Sequence, residues 1–367
     1  MFNLTTYPHL VGLFNELGID SDASDMSFSL STDTVEWGSR GLGAFYTLKK
    51  NALSADFLLM IREIVRFGKE APEVLRESPN SRHAEFGWMT LGQYLARRGY
   101  SRFFTENYVV PMCAAIWSCS DRDTLDFPVV TLVRFWVNHH LLNLVERPLW
   151  RVVRGRSEAY VDAIVRAITR EDFDGNRRGV VELDARVVAV KRKPGEITKC
   201  EYDDVIFACH SDQALAILGE EAKDAERAAL DAIKARLFPF QKNDVWLHRD
   251  ATLMPRNKKA WASWNCLKGS SRGASGEDAS VCVTYWVNLL QNLPEREPDL
   301  FVTLNPPRPP ATGTTQHRVT LSHPLFNARA IDAQTAINDK FQGDGGVWFA
   351  GAWLGYGFHE DGIKSAV

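Results

Sequence analysis

The feature that most limits what this chain can fold into lies near its C-terminus. From Gly345 a glycine pair precedes the apolar run Val347, Trp348, Phe349 and Ala350; Gly351 and a glycine-spaced turn follow, then the helix-like segment Glu360 to Ala366. The pattern predicts a short buried strand that passes through a loop with exposed backbone into a helix. Unpaired N–H groups and the positive end of the helix dipole suit such an end to a ligand that accepts hydrogen bonds. An ordinary strand-turn-helix connection has the same pattern.

Upstream, the organisation alternates. Tyr7, Leu10, Val11, Phe14 and Leu17 recur at helical spacing, with Gly18 placed to end the helix. Met26, Phe28 and Leu30 alternate with polar residues and predict a half-buried strand paired with Thr34 to Trp37. From Ala55 to Leu144 the pattern is mainly helical, with breaks at Pro72, at Pro79 to Ser81, at Gly99 and at Pro128. A helix is expected over Tyr160 to Ile168, then β-like runs at Val180 to Leu183, Val187 to Lys191 and Ile197 to Tyr202. An apolar strand, Asp204 to Ala208, leads into a helix over Gln213 to Leu218. A second strand-rich block runs from Asn243 to Leu304, interrupted by a loop from Gly269 to Ala279; the proline-rich stretch from Pro306 cannot be a central strand.

Composition sets the outer bounds. A chain of 367 residues, 45% hydrophobic, can bury a large core and has room for two domains. A net charge of -3 leaves no basic footprint for nucleic acid. The six cysteines, Cys113, Cys119, Cys200, Cys209, Cys266 and Cys282, have no CxxC spacing, so reduced thiols are expected rather than a disulfide framework or a zinc site. His139 and His140 are adjacent on a helix, so their side chains diverge by about 100° and no metal site follows. No targeting signal is legible and no apolar run reaches the roughly 18 residues of a membrane span. The default location is cytoplasmic, with peripheral membrane association left open. Without GxSxG or a P-loop, hydrolase and kinase readings have no support.

The C-terminal segment FAGAWLGYGFHEDG resembles the flavin signature of the FAD-dependent amine-oxidase-like superfamily. The variant GFHEDG is similar to a branch of NAD/FAD-binding oxidoreductases that includes the flavoprotein-like N-terminal region of plant-type cyclopropane fatty acid synthases. Further segments fit the branch in order, among them VEWGSRGL, TLGQYLARRGYSRFF, RPLWRVVRGRSEAYV, VWLHRDATLMP and TYWVNLLQNL, so the resemblance covers nearly the whole chain. It implies a mixed α/β fold in which an FAD-binding Rossmann-like domain is interleaved with a helical and mixed-sheet substrate domain. The GxGxxG turn of that fold is absent, and the chain resembles one truncated at both ends, with the first βαβ missing. The implied division is a mainly helical cap region with a short FAD-domain start over 1–150, an FAD-binding half over 151–240, a substrate-domain sheet over 241–330, and the FAD-binding strand-turn-helix over 331–367.

The resemblance also implies site residues. Val187 falls where a backbone N–H and C=O hold adenine, and Gly351, Ala352, Trp353, Gly357, Phe358, His359, Glu360 and Asp361 form the flavin-facing turn. Trp117, Trp264, Trp286 and Phe358 fall in the inner cavity, with aromatic rings suited to an apolar wall. His359 is the one candidate for handling protons. Two departures lower the expectation of an amine substrate: Phe358 replaces a cage tyrosine, and Asp244 stands where a lysine assists oxygen chemistry, with Lys242 two residues away. Two function classes stay open. One is an FAD-dependent oxidoreductase accepting hydride from a largely apolar, lipid-like or other small-molecule substrate. The other is a non-catalytic flavoprotein-like module associated with a lipid methyltransferase domain or partner. Neither class calls for a metal or a nucleic acid.

Overall fold

The fold was obtained as a computed structural model, and it describes residues 1–77, 86–87, 89–143, 147–171, 175, 178–192, 200–233, 241–269, 281–324 and 327–367. The expected break at Pro79 to Ser81 and nearly all of the expected loop from Gly269 to Ala279 lie outside the described residues. In chain order the strands are β1 (Phe2–Asn3), β2 (Ser21–Ala23), β3 (Phe28–Thr32), β4 (Glu36–Gly38), β5 (Trp150–Val153), β6 (Val205–Phe207), β7 (Gln241–His248), β8 (Trp264–Lys268), β9 (Cys282–Trp286), β10 (Phe301–Leu304), β11 (Thr315–His323) and β12 (Val347–Phe349). The chain divides into two compact units: Met1–Ala23 with Arg151–Pro239 and Pro324–Val367, and Ser24–Trp150 with Phe240–His323.

The first unit is built on the parallel pair β6 and β12, in the register Val205↔Val347, Ile206↔Trp348, Phe207↔Phe349. Because side chains alternate across a strand, Phe207, Val347 and Phe349 enter the core, whereas Ile206 and Trp348 are 66% and 41% exposed. Helices Ser211–Leu218, Asp224–Ala232 and Ala328–Lys340 supply the rest of that core through Leu218, Leu230, Ala330, Ala333 and Ile337. The helix Pro8–Leu17 forms as its spacing predicts: Pro8 occupies its first turn, Leu10 and Phe14 are buried, and Gly18 ends it at φ 67°, a left-handed conformation open to glycine.

Two expected β-like runs are not strands. Val180 to Leu183 and Val187 to Lys191 form no strand; Val187 is 56% exposed, and Val190 donates to Ile217 O instead of to a ladder. A β-like alternation makes a strand only where a neighbouring strand completes its hydrogen bonds. Of Ile197 to Tyr202, residues 200–202 are not in a strand and the rest lie outside the described residues.

The second unit carries a seven-stranded mixed sheet in the order β11-β7-β10-β9-β8-β3-β4, with β3 and β8 parallel and the other pairs antiparallel. The β3–β4 pairing matches the expectation, with Leu30 opposite Trp37. The serines of β3 do not face solvent, however. Ser29 Oγ donates to Asn265 Oδ1 at 2.7 Å and Ser31 Oγ to Glu36 Oε2 at 2.7 Å, so a strand covered on both faces keeps its polar groups satisfied. A fully buried polar row continues across the sheet: Asn265 donates to Thr284 O, Thr284 and Thr303 share a hydroxyl bond of 2.8 Å, and Thr303 Oγ1 meets His248 Nε2 at 2.7 Å. Helices pack beside this sheet around Phe67, Phe104 and Trp136, with ring centroids 5.7–5.8 Å apart.

Candidate functional site

In the first unit β6 and β12 both end at a turn, and the crevice beyond the carboxyl ends of parallel strands is where such sheets hold ligands. β12 runs through Ala350 and Gly351 into a 3₁₀ turn, Ala352–Leu354, and then through Gly355 and Gly357 into the helix His359–Lys364. The glycines are dictated by space. A Cβ on Gly351 would lie 2.5 Å from Trp353 Nε1, one on Gly355 would strike the Asp361 carboxylate, and Gly357 has φ 90°. The first N–H groups of the 3₁₀ turn and of the final helix have no intrahelical acceptor. Gly351, Leu354, Gly355, Gly357 and Phe358 spend their N–H groups within the turn and on Ser365 and Asp361, which leaves the N–H groups of Ala352 and His359 as the cradle's donors.

The side chains around it mostly hold it together. Trp353 is 3% exposed within the core, its indole donating to Cys209 O at 3.0 Å, so it ties the end of β12 to the end of β6 and its ring is not a ligand wall. Gln334 donates to the carbonyls of Trp353 and Gly355, both at 2.8 Å. Ser365 Oγ receives the Gly351 N–H at 2.8 Å. The Glu360 carboxylate is committed elsewhere: it accepts the N–H groups of His9 at 3.0 Å and Leu10 at 2.9 Å, capping the first helix of the chain. Asp361 accepts from Phe358 N–H at 3.0 Å, and burial raises its pKa. The side-chain polar atoms of Trp353, Glu360 and Asp361, three of the residues expected at the flavin-facing turn, thus already have protein partners.

His359, an exposed residue, opens the final helix with Nδ1 3.5 Å from Tyr160 Oη; partial desolvation of the ring, and the charge of the N-terminal amino group, lower its pKa. Ala352 lies in the 3₁₀ turn beside it in sequence, and half-buried Phe358 is the residue before the helix. Val187 is an exposed residue outside any strand. One group the sequence reading passed over is Ser211, the first residue of the helix after β6. Its hydroxyl is completely buried and has no hydrogen-bond partner among the described residues. A serine directly after a strand-ending Cys209-His210 turn is the signal that could have found it.

In the second unit the expected cavity tryptophans separate. Trp117 is core, 4% exposed and packed on Phe127 and Phe135 at 5.0 and 4.9 Å. Trp286 stands edge-on to Trp261 at 5.3 Å and donates to Asp299 Oδ1 at 2.9 Å. Trp264 belongs to a half-buried row that the register sets across four strands: Trp264, Tyr285, Val302 and Leu247. Its ring meets Tyr285 edge-on at 4.8 Å, and its indole N–H is buried without a partner among the described residues. Burial pushes the Tyr285 phenol up, so it stays protonated. Asp244 is held by Arg318 at 2.8 and 3.0 Å and accepts the Trp246 indole N–H at 2.7 Å; the arginine hydrogen bonds keep its carboxyl below the usual range. It is a paired charge beside an edge strand. His139, stacked on Phe135 at 4.0 Å, is likewise a core residue. No helix among the described residues is long and apolar enough to cross a membrane.

No family profile matches the chain, and no curated protein matches it. Solved structures do. Cyclohexylamine oxidase from Brevibacterium oxydans IH-35A superposes with a TM-score of 0.59 at 12% identity, covering 100% of this chain and 84% of the other. The CLA-producing fatty acid isomerase from P. acnes gives 0.57 at 10% identity, over 98% and 82%. Putrescine oxidase bound to putrescine gives 0.55 at 11%, over 99% and 84%. At these identities the likeness is one of fold: the chain is similar in architecture to all three, over nearly its whole length.

Proposed function

We propose that this protein is a flavin-dependent oxidoreductase acting on a largely apolar, lipid-like substrate. The backbone cradle after β12 carries the cofactor part of the reading. Gly351 and Gly355, where a Cβ would collide, and Gly357, at φ 90°, keep side chains off the path of approach, and the completely buried Ser211 hydroxyl has no hydrogen-bond partner among the described residues. These features fit FAD, to which Ala352 and His359 would donate their backbone N–H groups while Gly351, Gly357 and Phe358 line the approach, with Ser211 Oγ adding a hydrogen bond. The amine oxidases and the fatty acid isomerase that share the fold support the same class.

When bound, the flavin supplies the hydride acceptor. The protein's part is binding, exclusion of water and placement of a proton. His359, neutral and beside Tyr160, is the group suited to holding that proton. The row Trp264, Tyr285, Val302 and Leu247 offers an apolar wall with two polar tips, and no carboxylate stands in it to pair with an ammonium ion. Such a wall favours an alkyl chain over a small amine, since most of its contact with a ligand would be apolar.

The test is spectroscopic. FAD is added to the purified protein, free cofactor is removed, and the bound flavin is titrated anaerobically with unsaturated fatty acids, phospholipids, cyclohexylamine and putrescine. Bleaching of the visible band by the lipids supports the reading. Bleaching by the amines alone overturns the substrate class, and failure to retain flavin overturns the cofactor.

A further inference from the structure

We infer that the outward face of the helix Ala55–Glu70, with the turn that leads into it, is a docking surface for an anionic lipid bilayer. The helix buries Phe57, Met60, Glu63, Ile64 and Phe67 on one side. Its opposite line, at steps of four, three and four residues, is Leu58, Arg62, Val65 and Lys69, with Leu59 beside it; all five are exposed, the leucines at 43% and 41% and the valine at 37%. No carboxylate lies on that line. At 100° per residue Asp56 and Glu70 fall about 160° and 120° round from Leu58; Glu70, about 20° from Leu59, is engaged by Tyr100 Oη at 3.1 Å and Arg66 Nε at 3.5 Å, and Glu63 is buried, accepting from Ser101 N at 2.7 Å.

The segment before the helix extends the same chemistry. Ser54 caps the helix by accepting from Phe57 N–H, which makes Leu53 and Leu58 the positions of a hydrophobic staple. A closed staple would cover Leu53, yet it is 88% exposed, and Lys49 and Lys50 beside it are exposed too. Leu42, 78% exposed, lies three residues before Phe45, whose ring packs on Phe57 at 5.2 Å. Single exposed leucines are ordinary on any protein surface. Here Leu58 and Val65 share their line with Arg62 and Lys69, and Leu53 adjoins Lys49 and Lys50, the pattern that seats apolar side chains among acyl chains while cations meet acidic headgroups. Charge complementarity therefore selects an anionic membrane, rather than a neutral one or a second copy of this equally basic face. The inference does not depend on the flavin reading, because its readout is membrane binding.

The experiment is co-sedimentation of the whole protein with vesicles of phosphatidylcholine alone or mixed with phosphatidylserine, at low and high salt. Binding to the mixed vesicles, weakened by salt and at least tenfold poorer on phosphatidylcholine, is expected. Reversal of two cations, Lys49→Glu with Lys50→Glu, should weaken binding roughly 25-fold or more, from about fivefold per lysine near the surface. Leu58→Glu with Leu59→Glu should abolish it, while circular dichroism shows the fold retained. No binding to either vesicle, or binding that both double variants leave unchanged, overturns the inference. So does concentration-dependent self-association that the leucine variant abolishes, since a second copy would then cover the face.

Discussion

Replacing Glu360 with alanine separates a structural role from a cofactor role at the final helix. The carboxylate accepts two backbone N–H groups, at 3.0 and 2.9 Å, from a helix 350 residues earlier in the chain, and Glu360 is 8% exposed. A hydrogen bond to a charged group contributes about 1.5–3 kcal/mol net, and a negative charge at a helix N-terminus a further 0.3–1 kcal/mol or so. The bond to Leu10 is buried and would be lost outright, whereas water can partly replace the one to His9. The estimate is therefore about 3 kcal/mol, near the middle of the range and below the simple sum of two full bonds. Glu360→Gln keeps one acceptor oxygen without the charge and should cost about half as much. Amide hydrogen exchange reads the effect directly: at roughly 1.4 kcal/mol per factor of ten, the alanine variant should speed exchange at His9 and Leu10 by about 100-fold through opening of that helix. Unchanged protection at those two amides, together with loss of flavin binding, would show that the carboxylate serves a ligand and that the capping argument is mistaken.

Three further outcomes are expected. Gly357→Val puts a β-branched residue at φ 90°, at a strain of about 1–3 kcal/mol, and flavin retention after gel filtration should fall sharply while Gly357→Asn is milder. Asp250, 4% exposed, has its pKa lowered to about 2: burial alone would raise it, but hydrogen bonds from Thr252 and the Ala311 N–H and the charge of Arg308 prevail. A depressed carboxyl pKa stabilises the fold above its unfolded value and loses that contribution as pH falls; urea titrations should show about 2–3 kcal/mol disappearing between pH 4 and 2, and Asp250→Asn should remove that slope. Thr284→Val breaks the buried hydroxyl row, leaving Thr303 one partner short at a cost of about 1–2 kcal/mol by chemical denaturation; no change would mean that the row adds nothing to stability.

The strand-turn-helix at the C-terminus was legible because three local signals agree there: an apolar run, glycines where a Cβ cannot fit, and polar residues at a helix start. The same holds for Pro8–Leu17, whose proline, apolar spacing and final glycine point one way. Val187 was misplaced because alternation marks a segment able to enter a sheet, whereas entry depends on a partner strand far away in sequence. Glu360 and Trp353 had their partners hidden for a related reason. Their residue types suit a ligand site, but their polar atoms are claimed by His9, Leu10 and Cys209, which no local pattern could connect to them. Tyr285 and Ser211 escaped notice because register and burial, not residue type, single them out.

The first unit is assembled from three separate stretches of chain, and its opening helix is capped by a glutamate 350 residues later. On a ribosome adding about 5–20 residues per second, Pro8–Leu17 would wait roughly 20–70 seconds for that cap. The strand partner of Val205–Phe207 is also made late, at Val347–Phe349, whereas the stretches of the second unit are all in hand by His323. The last stretch of the first unit follows that point by only about 2–9 seconds, so it is the early helix and the lone parallel strand, made long before their partners, that would rely on chaperones in between. Substitutions in the last twenty residues would then lower yield from cells more than their effect on the finished fold accounts for.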